Sequence, residues 1–285
     1  MQAKILQLPK ICDPRGNLSF VEGFSDIIPF PIERAYWLYE IPGGDHREGH
    51  AFRQQEEFII ALSGSFDVVL NDGGGETRYH MSRSYYGLYV PPMMWRRLDN
   101  FSTNSVVLVL SSTKYDPSDY IEDFGQYLRE KASHSPAIAP HTAFAPQTPA
   151  GYGLSACREI SLETHHHAMG NLSVIEGGRH TDFAIRRCYY LYDIPGGQER
   201  GGHSHKECAT LIMAASGSFF VTLADGTQKR QVYLNRPNKG LLVAPGVWRT
   251  LSNFSSGSVA LVLASERYSE DDYIRNYQKF LAHET

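Results

Sequence analysis

The stretch Arg200-Gly201-Gly202-His203-Ser204-His205-Lys206 holds the densest chemistry in the chain. It follows the turn Pro195-Gly196-Gly197 and precedes an apolar run over 211–215. Two histidines at i and i+2 on a strand point to one face, and in a barrel that face can be the interior. Inward imidazoles beside an arginine are costly to bury without a purpose; the plain alternative is a polar turn at a sheet rim. Metal binding is one chemistry such a pair suggests, but it needs more ligands. Where an acid would follow His205 stand Ala209 and Thr210, and after the Pro-x-x turn a third histidine is replaced by Trp248 (Trp95 earlier in the chain). Two histidines alone bind metal poorly, so neither a metal nor another cofactor is expected. The triplet His165-His166-His167 reads as a solvated loop. The other chemistry is acid–base catalysis without a metal. An imidazole suits proton transfer at neutral pH. Shifting a proton between neighbouring carbons of a keto-sugar needs a base, a second group to shuttle protons between the oxygens, and positive charge near the enediolate. His203, His205 and Arg200 are of the right types.

These residues belong to a repeat. Tyr36-Trp37-Leu38-Tyr39-Glu40-Ile41-Pro42-Gly43-Gly44 returns as Tyr189-Tyr190-Leu191-Tyr192-Asp193-Ile194-Pro195-Gly196-Gly197, an offset of 153 (189 − 36). The same offset carries His50 onto His203, Ser63-Gly64-Ser65-Phe66 onto Ser216-Gly217-Ser218-Phe219, and Trp95-Arg96 onto Trp248-Arg249. Nearer the start, Gly16-Asn17-Leu18-Ser19 pairs with Gly170-Asn171-Leu172-Ser173 at an offset of 154. The chain is a tandem duplication, with a first domain over 1–130, a linker over 131–153 and a second domain over 154–285. The linker is rich in Pro and Ala, a composition that stays extended.

Each copy reads as strands: 58–62, 66–70, 87–90 and 105–110, separated by turns such as Ser63-Gly64 and Asn71-Asp72-Gly73. Short strands at such spacing predict a sandwich or barrel, all-β. One helix closes each copy, over 117–128 and 271–281, with core-facing stripes of Tyr120, Ile121, Phe124 and Leu128, and of Tyr273, Ile274, Tyr277 and Leu281. The net charge is −4 over 285 residues, no basic tract stands out, and nucleic acid is not an expected partner. No apolar run reaches the ~20 residues of a membrane span, and no leader is read near Met1, so a cytoplasmic protein is expected. The four cysteines form no CxxC pair and read as free thiols.

Taken together, Asp13-Pro14-Arg15-Gly16-Asn17-Leu18, the Arg-x-Tyr strands at Arg34 and Arg187, the His-x-His stretch, the Pro-x-x-Trp turn and the tail from Ser265-Glu266-Arg267-Tyr268 to Asp272-Tyr273-Ile274-Arg275 resemble the dTDP-4-keto-6-deoxyhexose 3,4-ketoisomerases, a branch of the cupin superfamily. The resemblance covers nearly the whole of each copy and excludes the linker. It implies two cupin or jelly-roll barrels, a dTDP-linked keto-deoxyhexose as ligand, the first histidine as base and the second assisting. It also implies subunits that exchange N-terminal strands, so two copies in one chain would form an intramolecular pseudo-dimer.

The copies depart from that pattern in opposite places. Copy one keeps Arg15 but reads His50-Ala51-Phe52; copy two keeps both histidines but has Met169 in place of the early arginine. With arms exchanged, Arg15 completes the barrel of Arg200, His203 and His205, giving one competent site and one degenerate one. Expected catalytic residues are His203, His205, Arg200 and Tyr189. Expected substrate contacts are Arg15, Arg187, Tyr192, Arg249 and Trp248, and the degenerate site holds His50, Arg47 and Tyr36. Arg15 could equally be a surface cation, the tyrosines strand packing, Trp248 a barrel closure, and Arg96, Arg97 and Arg249 rim charges rather than diphosphate ligands. A sugar-nucleotide 3,5-epimerase and a non-catalytic sugar-nucleotide binder remain as other readings.

Overall fold

Strands rich in Val, Ile, Leu and aromatic residues bury one or both faces, and here they do so twice over. The structure, a computed structural model, describes residues 2–44, 46–133, 141 and 151–283, so most of the 131–153 linker lies outside the described residues. The chain divides into two compact units, and neither is continuous in sequence. Unit one comprises 1–8, 24–144 and 164–176; unit two comprises 9–23, 145–163 and 177–285. The segment 9–23 of copy one therefore belongs to unit two, and 164–176 of copy two to unit one. The N-terminal strands are exchanged.

Each unit is a pair of antiparallel sheets. In unit two, one sheet runs Arg158–Ser161, Lys239–Val243, Thr210–Ser216, Val259–Ala264, Arg187–Tyr192, Asn17–Glu22, Lys10–Ile11. The other runs Lys229–Leu234, Phe219–Ala224, Trp248–Ser252, Arg200–His205, Tyr273–Ile274. Ile212, Leu241 and Val262 from the first sheet meet Phe219, Leu223 and Leu251 from the second in one core. Unit one repeats the plan, with Asn171–Glu176 as the borrowed strand beside Arg34–Tyr39. The expected strands over 58–62, 66–70, 87–90 and 105–110 all form, within a residue or so of their ends.

The borrowed strand is held in a defined register. Asn17 to Glu22 pair with Tyr192 to Arg187, and Leu18 packs on the core of unit two. Gly16 ends the approach with φ +113, and a Cβ there would meet Ile194 Cγ1 at 2.7 Å and Ile194 Cα at 3.0 Å. Only glycine combines that backbone with that contact.

The closing helices differ from expectation. Pro117–Asp119 is a 3-10 turn, Tyr120–Ile121 a short strand, and the helix runs Phe124–Ser133. In copy two the order is Glu270–Asp272, Tyr273–Ile274 and Tyr277–His283. Tyr120 and Ile121 pair with Phe52 and Ala51, so backbone pairing to the sheet wins over helix propensity there. Nor is the whole stripe buried. Tyr127 and Phe280 face the interior, whereas Phe124 and Leu128 are more than a third exposed.

Candidate active site

Barrel two gathers two imidazoles on the strand Arg200–His205. The strand bulges between Gly201 and His203, where the pairing to Trp248–Ser252 slips register. Gly201 and Gly202 take φ +83 and +66 to make that bulge. Beyond it His203 and His205 share a face, their ring centroids 5.1 Å apart and their planes at 79°. Tyr273 stands against both, at 4.8 Å from His203 and 4.3 Å from His205. His205 is fully buried. All four ring nitrogens of His203 and His205 are closed from solvent and none makes a well-aligned hydrogen bond, although the Asp272 carboxylate stands 2.7 Å from Nδ1 of His205. Burial, then the Arg249 guanidinium, hold both rings well below the usual imidazole range, His205 at about 3. At neutral pH both are unprotonated, the state a base requires.

Two buried cations face these rings. Arg249 is 2% exposed and Arg187 3%. Arg249 pairs in register with His203, and its Nη2 has no partner. Arg187 lies over the Tyr189 ring at 5.2 Å and donates to the Tyr273 hydroxyl at 3.4 Å; its Nε is unpartnered. Neither has an acidic partner among the described residues. Thr210 completes the group with an unpartnered hydroxyl. A buried charge without a counter-charge is expensive, and two of them with donors spare form a group suited to meeting an anion. Tyr189 stands beside Arg187, its hydroxyl pushed up to about 12 by burial.

Barrel one shows the same scaffold with its arginine already paired. Glu57 occupies the position of Thr210. Arg96, the twin of Arg249, donates from Nε to Glu57 Oε2 at 2.7 Å and from Nη2 to the Tyr36 hydroxyl at 2.7 Å. Tyr36 in turn donates to Glu57 Oε1 at 2.7 Å. Arg34, the twin of Arg187, donates to Gln55 Oε1 at 2.9 Å. Phe52 fills the place of His205, 5.0 Å from His50 at 86°. The arginine is satisfied within the barrel, and the second imidazole is gone.

The remaining expected site residues fall into place less evenly. Arg200, expected beside the imidazoles, instead donates from Nη1 to the Gly16 carbonyl at 2.7 Å and stands 3.7 Å from Asp13. Arg47 does the same to Gly170 at 2.9 Å in the barrel that lacks the histidine pair. The shared contact marks both arginines as clamps on the borrowed arm, and the cations facing the rings are Arg249 and Arg187. Arg15 lies on that arm in unit two, exposed, and chelates Asp13 through Nε at 3.0 Å and Nη2 at 2.7 Å. Tyr192 is buried, with its hydroxyl 3.1 Å from Ser19 Oγ on the arm, not turned to the rings. Trp248 packs on the closing helix against Tyr277 at 5.0 Å and Phe280 at 5.7 Å, which makes it a closure of the barrel. Asp272, Tyr273 and Thr210 were given no role at the site by sequence reasoning. For Thr210 the repeat held a signal, since Glu57 stands in its place in copy one; Asp272 and Tyr273 match Asp119 and Tyr120, so comparing the copies could not single them out.

Jelly-roll barrels of this superfamily invite a metal, and one set of donors tests the fit. His205, Cys208 and Asp272 offer ligand atoms within 4.8 Å of one another. The fit is poor. Asp272 Oδ1 already accepts from the Glu207 and Cys208 backbone N–H groups, burial keeps the Cys208 thiol protonated, and Arg187 and Arg249 act on the same group of residues. Cations beside the donors oppose a further cation. Cys157 and Cys188 are likewise buried free thiols and Cys12 an exposed one.

Comparison with known proteins agrees with the duplication. The family model FdtA, described as WxcM-like, C-terminal, matches residues 1–132 and again 155–285. A curated relative from Aneurinibacillus thermoaerophilus, TDP-4-oxo-6-deoxy-alpha-D-glucose-3,4-oxoisomerase, is 41% identical over 111 residues, covering 39% of this chain and 80% of its own. A 3,4-ketoisomerase from Helicobacter canadensis is 37% identical with a TM-score of 0.44, covering 45% of this chain and 96% of its own. The sugar 3,4-ketoisomerase QdtA of Thermoanaerobacterium thermosaccharolyticum, solved with TDP, is 36% identical with a TM-score of 0.44, covering 45% of this chain and 93% of its own. Two matched segments, each the size of one copy, account for nearly all of the sequence, and the chain belongs to the FdtA family with its unit present twice.

Proposed function

We propose that the chain is a sugar-nucleotide 3,4-ketoisomerase that converts a dTDP-4-keto-6-deoxyhexose to its 3-keto isomer, with one active site per chain, in barrel two. The observation that carries this reading is the pair of buried, neutral imidazoles facing two buried guanidiniums that have no acidic partner among the described residues. His203 removes the proton from carbon 3. The electron pair moves onto the carbonyl oxygen at carbon 4, and Arg249 stabilises the resulting enediolate, with Arg187 beside it. The hydroxyl proton at carbon 3 is transferred to the oxygen at carbon 4, with His205 as relay, and the proton on His203 returns to carbon 4. Atoms balance with no electron donor or acceptor. The relatives' names support the substrate class, and the closed Arg96–Glu57–Tyr36 arrangement supports a single site. Every residue given a role here lies in the second copy, so the reading requires no second chain.

The test follows the sugar carbons by NMR in deuterated water. Wild type should move the carbonyl from carbon 4 to carbon 3 without placing deuterium at carbon 5, where an epimerase would place it. His203→Asn should lower turnover by on the order of 100-fold or more, and His50→Asn should leave it unchanged. Loss of turnover in His50→Asn with activity retained in His203→Asn would reverse the assignment.

A further inference from the structure

The two copies use one conserved-in-place aspartate differently. In copy one, Asp119 ties down the loop after the strand with both carboxylate oxygens. Gln54 N–H donates to Oδ1 at 2.8 Å and Gln55 N–H to Oδ2 at 3.1 Å. In copy two, Asp272 holds the equivalent loop with one oxygen only. Glu207 N–H at 2.7 Å and Cys208 N–H at 3.4 Å both reach Oδ1. The freed Oδ2 stands 2.7 Å from Nδ1 of His205. The backbone contact is the same in both, Arg53 N–H to Asp119 O at 3.0 Å and Lys206 N–H to Asp272 O at 2.9 Å, so only the carboxylate has been redeployed.

We propose that Asp272 is a positioning residue that fixes the tautomer of His205, holding the proton on Nδ1 and leaving the lone pair of Nε2 to face the reaction space. This rests on the reading above that His205 serves proton transfer, and it adds the group that makes it able to. A carboxylate accepts and cannot donate; at 2.7 Å a bare lone pair on Nδ1 would meet those of Oδ2, so the proximity favours the proton on Nδ1 even though the contact is not ideally aligned. Nε2 is then an acceptor, closed from solvent and unpartnered. A neutral imidazole without such a partner populates both tautomers, and the Nε2-protonated one would present a donor where an acceptor is needed. Loop tethering alone does not account for the arrangement, because Asp119 performs it with no imidazole in reach, Phe52 standing where His205 would.

The substitution Asp272→Asn separates the two roles. The loop N–H groups pin the amide oxygen at the Oδ1 position, which turns the amide NH2 toward His205. A donor there forces the proton from Nδ1 to Nε2. Nitrogen-15 NMR of the imidazoles in the full chain, with the His205 signals identified by their loss in His205→Phe, should show Nδ1 protonated in wild type and Nε2 protonated in Asp272→Asn. Turnover should fall on the order of 100-fold with KM nearly constant, while Asp119→Asn leaves kcat unchanged. An unaltered ring spectrum in Asp272→Asn, or a kcat no lower than that of Asp119→Asn, overturns the proposal. If Asp272→Asn does not fold, the wild-type spectrum decides: Nε2 protonated in wild type overturns it as well. Should the chain turn over no TDP-keto-sugar, the ketoisomerase reading fails, and the ring spectra still judge the role of Asp272.

Discussion

The rings of His203 and His205 are held neutral by burial and by Arg249, and this has a consequence for stability. In the unfolded chain both titrate near ~6.5; folded, His205 does so at about 3 and His203 is also lowered. Between those values the unfolded state binds more protons, so stability is fully present above about pH 6.5 and is lost as pH falls toward 3. Denaturant midpoints recorded against pH should show this acid-side loss. His205→Phe, which copies Phe52 of barrel one, should shrink it. Barrel one makes the complementary case. Arg96 is neutralised by a carboxylate that is itself fully enclosed. Glu57→Gln removes the charge and leaves the guanidinium buried, costing about 3 kcal/mol, measurable as a lowered unfolding midpoint. The histidine pair and its loss in copy one were legible in sequence, because two like residues at i and i+2 share a strand face. Glu57 was not, because a glutamate next to Glu56 in an apolar run does not announce which arginine it meets.

At the level of elements, the borrowed strand Asn17–Glu22 depends on a clamp and a glycine. Arg200 gives a charged donor to the Gly16 carbonyl, a contact worth about 2 kcal/mol. Arg200→Met should therefore speed amide exchange across Asn17–Glu22 on the order of 30-fold while leaving the central strand Val259–Ala264 protected. Gly16→Ala should weaken the same strand through steric conflict with Ile194, whose Cγ1 would lie 2.7 Å from the new Cβ. Unchanged exchange in both variants would show that the strand is held by its ladder alone. The strands themselves were readable from β-branched runs and turn residues. The closing helices were misplaced by several residues, because Tyr120 and Tyr273 satisfy a helical period and also pair as strand, and only contact with the neighbouring strand decides between them.

For the molecule as a whole, duplication followed by unequal change leaves one barrel with its central arginine paired to an acid and one without such a pair. Calorimetric titration with dTDP should give close to one site per chain; two equal sites would contradict the single-site proposal. No helix among the described residues is long and apolar enough to cross a membrane. The sequence by itself determined the duplication, the all-β class, the histidine pair and the complementary losses, because repeats, alternation and residue identity are local or self-comparing properties. The exchange of strands stood in it only as an implication of resemblance, and pairing of Asn17–Glu22 with Arg187–Tyr192 made it a fact of register. Which arginines face the imidazoles, which one clamps the arm, and which oxygen of Asp272 is free were decided only in three dimensions. Those choices depend on a two-residue bulge and on partners far apart in sequence, and no pattern along the chain encodes a direction in space.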